Sequence, residues 1–231
     1  MLRQPLKLCY NHLMKPSNMS NPHIPEDIQQ LYEVYDYRHA ATILRHDFPN
    51  EYADINDMLR NFRFTEDWVR APGGSESAIP KAFKRLLLPL GWEVEKVLRA
   101  KLVLENGEDE VIQLDTHKID YFKNRVAFDV EWNSKDQTFD RDLYAMRAFF
   151  DYGRISLGVL VTRGNDLDSY FASLGTFMDG QRERHFKNKY GATTTHMRKL
   201  IPRLENGRSG GCPILAFGIT QRLLDPGPLE E

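Results

Sequence analysis

Three acidic side chains lie in a stretch that otherwise has the composition of buried β-strands. The stretch, residues 118–136, reads KIDYFKNRVAFDVEWNSKD and holds Asp120, Asp129 and Glu131 among Ile, Val, Phe and Tyr. Because alternate side chains of a strand share a face, Asp129 and Glu131 point away from the apolar residues beside them. We therefore expect one acidic face and one apolar face on the second strand of this stretch.

A two-residue turn at Lys123-Asn124 would fold the first strand back so that Asp120 joins this acidic face. In the register that this turn predicts, Asp120 lies opposite Ala127 and one diagonal step from Asp129, about 7–8 Å away. Carboxylates so close together raise one another's pKa unless a cation neutralises them, and Mg²⁺ prefers carboxylate and phosphate oxygens. The spacing therefore predicts a metal site built from Asp120, Asp129 and Glu131.

The same spacing permits a simpler interpretation. Asp120 and Glu131 can be solvent-facing residues of an edge hairpin that pair with Arg125 or Lys118. Spacing alone does not decide between the two interpretations.

The elements on either side of the acidic stretch predict an α/β fold. Residues 25–46 and 50–62 carry apolar residues at three- and four-residue spacing, which is typical of helices, so the N-terminal part is expected to be mainly helical. Alternating runs at 95–104 and 110–114 flank an Asn-Gly pair, which predicts a hairpin.

The acidic stretch is followed by a predicted helix, residues 137–153, and a nearly continuous apolar strand, residues 154–164. The apolar stripe of that helix is formed by Phe139, Leu143, Met146 and Phe150. Strands without alternation are buried on both faces of a sheet. Together these elements predict an α/β sandwich with a mixed central β-sheet.

Composition limits the classes of function. The chain of 231 residues has a net charge of −2, but residues 181–208 alone carry eight Lys or Arg and two Glu. Such asymmetry suggests a segment that faces a polyanion, although a solvated basic face would look the same. No apolar run is long enough for a membrane span, and the N-terminus does not have the pattern of a secretory signal. The two cysteines, Cys9 and Cys212, form no disulfide framework, so we expect a reducing cytoplasm.

The motif IDYF…RVAFDVEWNS, followed by an aromatic helix and an apolar strand, resembles the catalytic core of the PD-(D/E)XK nucleases. It is most similar to the type II restriction endonucleases of the BglII, BstYI and BamHI group. The resemblance implies a restriction-endonuclease-like α/β/α core with a mixed central β-sheet and N-terminal helices. It also implies one nuclease domain over residues 1–231, with a mainly helical part at 1–70, a catalytic core at 75–162 and a basic DNA-recognition segment at 181–211.

The resemblance also assigns roles to the acidic residues. Asp120 matches the first acid of the motif and Asp129 the second, both as metal ligands. Glu131 stands where most of the superfamily has lysine, a replacement for which this group is known. Glu76 matches an extra acid that some of these enzymes bring from an N-terminal helix.

The implied activity is Mg²⁺-dependent hydrolysis of double-stranded DNA at a short palindromic site. A palindromic site implies a homodimer, and the candidate dimer interfaces are the helix near 137–152 and the N-terminal helices. Glu131 would accept a proton from water or hold a second metal ion. The residues expected to contact DNA are Asn133, Ser134, Lys135, Thr193, Thr194, Thr195, His196, Arg198 and Lys199.

Two other functions fit the same resemblance. One is a repair or structure-specific nuclease of the same fold. The other is a DNA-binding protein whose active site has lapsed, since a missing lysine is also what a dead nuclease would show.

Overall fold

The computed structural model describes residues 20–72, 77–98, 100–103, 109–112 and 118–225. The helices are α1 (Glu26–Leu31), α2 (Ala40–Asp47), α3 (Pro49–Asn61), α4 (Glu66–Arg70), α5 (Ala78–Leu87), α6 (Thr138–Asp151), α7 (Leu167–Ser173), α8 (Phe186–Lys189) and α9 (Met197–Glu205). The strands are β1 (Tyr32–Tyr37), β2 (Glu93–Lys96), β3 (Ala100–Val103), β4 (Asp109–Ile112), β5 (Ile119–Lys123), β6 (Val126–Glu131), β7 (Leu157–Arg163), β8 (Thr176–Asp179), β9 (Arg182–His185) and β10 (Ile214–Ile219). Within these ranges no helix combines the length and the apolar character that crossing a membrane requires.

Six strands form a central mixed sheet in the order β1-β10-β7-β6-β5-β2. The strands β10, β7 and β6 are parallel neighbours, and β1, β5 and β2 are antiparallel to the strands that they pair with. Every residue of β7 and β10 is buried. This burial is expected of central strands that are covered on both faces, and it confirms the doubly buried strand predicted at 154–164.

Helices cover both faces of the sheet, which gives three layers. On one face α1, α2, α3 and α5 enclose a core that includes Phe128 and Val130 of β6. On the other face α6 and α9 pack against side chains that include Ala127 of β6. The two faces predicted for β6 are thus confirmed, and the α/β/α architecture matches the restriction-endonuclease-like fold.

The helix α6 lies close against β7 because Gly158 leaves room for it. A Cβ atom at Gly158 would collide with the sulfur of Met146. Met146 belongs to the predicted apolar stripe, and Phe139 and Leu143 of that stripe are also fully buried. The first turns of α6 are thereby held next to the end of β6.

The N-terminal part differs from the predicted continuous helix. Residues 32–37, YEVYDY, form the edge strand β1, which pairs antiparallel with β10. Aromatic and β-branched residues favour such a half-buried strand, and pairing with β10 outweighs the helical spacing of the segment. Left-handed backbone at Arg38 and His39, with φ of 56° and 60°, separates β1 from α2.

Two short hairpins stand outside the central sheet. The strands β3 and β4 pair antiparallel, as the alternating runs around Asn-Gly predict. The strands β8 and β9 form a second hairpin, which begins the basic part of the chain.

Candidate active site

The turn between β5 and β6 lies one residue later than the sequence suggests. Lys123 pairs with Val126, so Asn124 and Arg125 are the turn residues. Asn124 has a φ of 53°, and asparagine tolerates this left-handed backbone better than most residues. The predicted turn at Lys123-Asn124 is therefore wrong.

The corrected register moves Asp120 closer to Asp129 than predicted. Tyr121 pairs with Phe128, so the next position along each strand brings Asp120 level with Asp129 instead of Ala127. The backbone N–H of Asp120 donates to Asp129 Oδ1 at 2.7 Å. In return, the N–H of Val130 donates to Asp120 Oδ2 at 3.2 Å. Each carboxylate is thus tied to the opposite strand.

Glu131, at the end of β6, has three hydroxyl groups around it. Thr138 Oγ1 lies 3.3 Å from Glu131 Oε2, and the hydroxyl of Ser134 is near enough to lower the pKa of the carboxyl. The hydroxyl of Thr162 on β7 donates to the backbone carbonyl of Glu131 at 2.7 Å. Both the backbone and the side chain of Glu131 therefore have defined positions.

A fourth carboxylate, Asp142, joins the group from the second turn of α6. Its side chain is 2% exposed, and its neighbour Arg141 places Nε 3.7 Å from its Oδ1. The sequence analysis did not single out Asp142. The available signal was its spacing, because Asp142 lies three residues after Phe139 and four before Met146, on the apolar side of the helix.

The carboxylates of Asp120, Asp129, Glu131 and Asp142 are hereafter called the acid cluster. Burial raises the pKa of Asp129 well above its usual value, and the charges of Asp120 and Asp142 add to that effect. Burial, followed by repulsion from Glu131, raises the pKa of Asp142 to about 8. Burial is also the main cause of the raised pKa of Glu131. The cluster therefore holds protons at neutral pH unless cations replace them.

The chemistry of the acid cluster suits a hard divalent cation. Asp129 Oδ2 and Asp142 Oδ2 are buried and have no hydrogen-bond partner among the described residues. Buried carboxylate oxygens without partners are costly, and a cation that accepts oxygen ligands would remove that cost. In the described ranges no three acidic, histidine or cysteine side chains are already arranged to hold a metal ion. The carboxylates would thus have to move closer together on binding, while Asp120 and Asp129 each keep one oxygen on a backbone N–H.

Glu76, the other acid predicted for the site, lies outside the described residues. Helix α5 begins two residues later, at Ala78.

The two segments predicted to contact DNA lie side by side. Lys135 forms an antiparallel bridge with Thr194. The N–H of Thr195 donates to the carbonyl of Ser134, and the N–H of Asp136 donates to the carbonyl of Thr193, both at 3.0 Å. We call residues 133–136 and 193–196 together the paired loops. They start at the end of β6, so they adjoin the acid cluster.

Exposure differs among the predicted residues of the paired loops. Thr193 is exposed and Lys135 is exposed, whereas Asn133 and Ser134 are half-buried. Asn133 also donates from Nδ2 to the carbonyl of Lys189 at 3.3 Å. The exposed members are the ones that a DNA strand can reach directly.

The remaining three predicted residues of the loops are buried: Thr194, Thr195 and His196 are 9%, 0% and 6% exposed. Burial and then the charge of Arg163 lower the pKa of His196 to about 4, so its imidazole is neutral at neutral pH. In this conformation these three side chains pack beneath the surface of the loops and are not accessible to a ligand.

Arg198 and Lys199 follow the paired loops at the start of α9 and are accessible. Arg198 forms an ion pair with Asp168 at 2.8 Å, and Lys199 lies 3.6 Å from Asp136. Both pairs are on the surface, where ion pairs are weak and readily exchanged for other anions.

The family model described as restriction endonuclease BglII/BglIII matches residues 32–219. This range runs from the start of β1 to the end of β10, so it includes the whole central sheet, the acid cluster and the paired loops. No curated protein matches the chain.

Proposed function

As a member of the BglII/BglIII family of restriction endonucleases, this chain is a type II site-specific deoxyribonuclease, and we propose that it hydrolyses double-stranded DNA at a short palindromic site with Mg²⁺. The single observation that supports the metal-dependent chemistry best is the acid cluster. Asp120 near the start of β5, Asp129 and Glu131 near the end of β6 and Asp142 on α6 are close enough to raise one another's pKa, and two of their buried oxygens have no hydrogen-bond partner in the described part of the chain. A protein retains such an arrangement at a cost in stability, which is typical of functional sites.

In the proposed reaction the acid cluster holds the cation and positions the attacking water. Bound Mg²⁺ would polarise the scissile phosphate and lower the pKa of a water molecule. Asp120 and Asp129 are the proposed primary ligands. Glu131 either accepts the proton of the water or, as we favour, holds a second cation together with Asp142, since four neighbouring acids carry more charge than one divalent ion neutralises.

We propose that the DNA lies along the paired loops. Arg198 and Lys199 would neutralise phosphates, for which they would exchange their surface carboxylate partners. Asn133, Ser134, Lys135 and Thr193 are the proposed contacts to base edges or to the sugar–phosphate backbone. Thr194, Thr195 and His196 are assigned to supporting these contacts because they are buried.

A palindromic site calls for two copies of the chain, one for each DNA strand. Tyr144 on the outer side of α6 and Tyr152 just after the helix are 48% and 53% exposed, which supports this helix as the dimer contact. We place the protein in the reducing cytoplasm, where the buried Cys212 would remain a free thiol.

The proposed function is tested by incubating the protein with phage and plasmid DNA with and without Mg²⁺ and mapping the ends that form. Discrete fragments that require Mg²⁺ and carry one common end sequence support the proposal. A continuous smear indicates a nuclease without sequence specificity, and intact DNA across a range of divalent metals contradicts the enzymatic role.

A further inference from the structure

A buried arginine at the end of β7 lies beneath the paired loops. Arg163 is 0% exposed, and within the described ranges it makes no ion pair with a carboxylate. Burying a cation without a counter-charge is costly unless hydrogen bonds replace its water. Burial lowers the pKa of Arg163 to about 10, so the guanidinium still carries its charge at neutral pH.

The hydrogen bonds of Arg163 all reach one short segment. Nε donates to the carbonyl of Thr195 at 2.9 Å, and Nη1 donates to the carbonyl of Tyr190 at 3.1 Å. Nη2 donates to the hydroxyl of Thr194. The guanidinium also packs against the ring of Tyr190, 5.4 Å from its centroid. The planar guanidinium thus fixes three points of the segment 190–195 at once, which a lysine cannot do.

The segment that Arg163 fixes is linked through the paired loops to the acid cluster. Thr195, whose carbonyl accepts from Arg163, donates its N–H to the carbonyl of Ser134 at 3.0 Å. The side chain of Ser134 is near enough to the Glu131 carboxylate to favour its charged form, which lowers the pKa. Hydrogen bonds therefore join Arg163 to Ser134, and Ser134 lies beside Glu131.

A second path leads back to the same strand. Thr162, the neighbour of Arg163 on β7, donates to the backbone carbonyl of Glu131 at 2.7 Å. Thr162 also pairs with Glu131 in the parallel ladder between β6 and β7. The end of β7 therefore holds Glu131 through Thr162 and the segment 190–195 through Arg163.

We propose that Arg163 is a positioning residue that couples the fit of DNA on the paired loops to the position of Glu131. A correctly matched site would leave the loops in the arrangement that Arg163 fixes, with Ser134 beside the Glu131 carboxylate. A mismatched site that displaces Thr193 or Lys135 would disturb Ser134 and thereby Glu131. This inference rests on the nuclease function proposed above, and it assigns sequence discrimination to a residue that does not touch DNA.

The test compares Arg163→Met and Arg163→Lys with wild type on the mapped cleavage site and on sites that differ by one base pair. Arg163→Met is expected to lower the ratio of matched to mismatched cleavage by about tenfold, because buried loop acceptors lose their donors. Arg163→Lys is expected to restore the ratio in part, since it keeps the charge but not the three-point contact. Tyr32→Phe is the matched control: it removes a buried hydrogen bond, from the Tyr32 hydroxyl to the carbonyl of Leu59, in another part of the core.

Hydrogen exchange gives a second measurement that does not need cleavage. The amides of Asp136 and Thr195 are expected to exchange about tenfold faster in Arg163→Met than in Tyr32→Phe, because their loop bonds are released. If wild type cuts no DNA, the proposed function fails and the exchange rates still decide whether Arg163 positions the loops. The proposal is overturned if folded Arg163→Met keeps both the wild-type ratio and the wild-type exchange rates, or if Tyr32→Phe loses discrimination equally. If Arg163→Met does not fold, Arg163→Lys tests the proposal in its place. A wild-type cleavage ratio and wild-type exchange rates in Arg163→Lys would then overturn the proposal.

Discussion

Two charged regions with buried side chains lie next to each other across β6 and β7, and they differ in how their buried polar atoms are satisfied. In the acid cluster, Asp129 and Asp142 each bury one oxygen that has no partner in the described part of the chain. At Arg163, each of the three guanidinium nitrogens has an oxygen partner within the segment 190–195. The unsatisfied region is suited to bind something that the chain itself lacks, whereas the satisfied region is suited to hold the chain in one arrangement.

The largest effect is expected from neutralising the centre of the acid cluster. Asp129→Asn should lower DNA cleavage by at least about 1,000-fold, equivalent to about 4 kcal/mol of activation free energy, while DNA binding persists. Because burial raises the pKa of Asp129, folding at neutral pH forces a proton onto this carboxyl at a cost that asparagine avoids, so the metal-free variant should melt at a higher temperature than wild type. Cleavage rates, a DNA-binding titration and thermal melts in chelator measure the three quantities. A variant that cuts DNA at the wild-type rate would refute the metal-ligand role of Asp129.

The next effect concerns the acid that α6 contributes. Asp142→Asn is expected to weaken Mn²⁺ binding about 10- to 100-fold, measured by calorimetry, because one oxygen ligand or its immediate support is lost. Asp151→Asn on the same helix is the control, since Asp151 is exposed and pairs only with Arg147 among its described contacts. Equal Mn²⁺ affinity in the two variants would remove Asp142 from the acid cluster.

A smaller effect is expected at the exposed cations beside the paired loops. Replacing Arg198 and Lys199 with Gln should weaken DNA binding about tenfold and lower the slope of log affinity against log salt by about 2. The pair Arg45→Gln and Arg60→Gln removes the same charge from the N-terminal helices and should leave the slope unchanged. Identical slopes in both double variants would show that α9 does not meet phosphates.

The last effect is a pH dependence of stability. Folding raises the pKa of Asp142 from 3.8 to about 8, so the folded state binds more protons than the unfolded state between these values. The stabilisation is complete below about pH 4 and is lost as the pH rises towards 8, by at most about 1.4 kcal/mol per pH unit for one group. Chemical unfolding in chelator at pH 5, 6, 7 and 8 should show this decline, with a shallower one for Asp142→Asn. Stability that rises over the same range would contradict the buried position of Asp142.

Much of the acid cluster could be predicted because its signal is local. Period-two alternation places Asp129 and Glu131 on one face, and a two-residue shift of register does not change which face Asp120 shares. The buried strand β7 and the apolar stripe of α6 were predicted for the same reason, since each pattern lies within one element.

The rest depends on contacts between distant elements. Strand β1 exists because residues 32–37 pair with β10, about 180 positions later, and Asp142 reaches the acid cluster because Gly158 lets α6 approach β7. The role of Arg163 could not be predicted from the sequence, since its hydrogen-bond partners lie about 30 residues further along the chain. The burial of Thr195 has the same cause, because it follows from pairing with Ser134.

The central claim is that the acid cluster exchanges protons for divalent cations. Calorimetric titration of the protein with Mg²⁺ or Mn²⁺ at pH 7, repeated in buffers of different ionisation enthalpy, counts the protons released on binding. We expect wild type to bind the metal with release of protons, since the pKa of Asp142 is about 8 and burial raises the pKa of Asp129 well above its usual value. Asp129→Asn should bind more weakly and release fewer. Metal binding without proton release, or equal binding by the two proteins, would contradict the account.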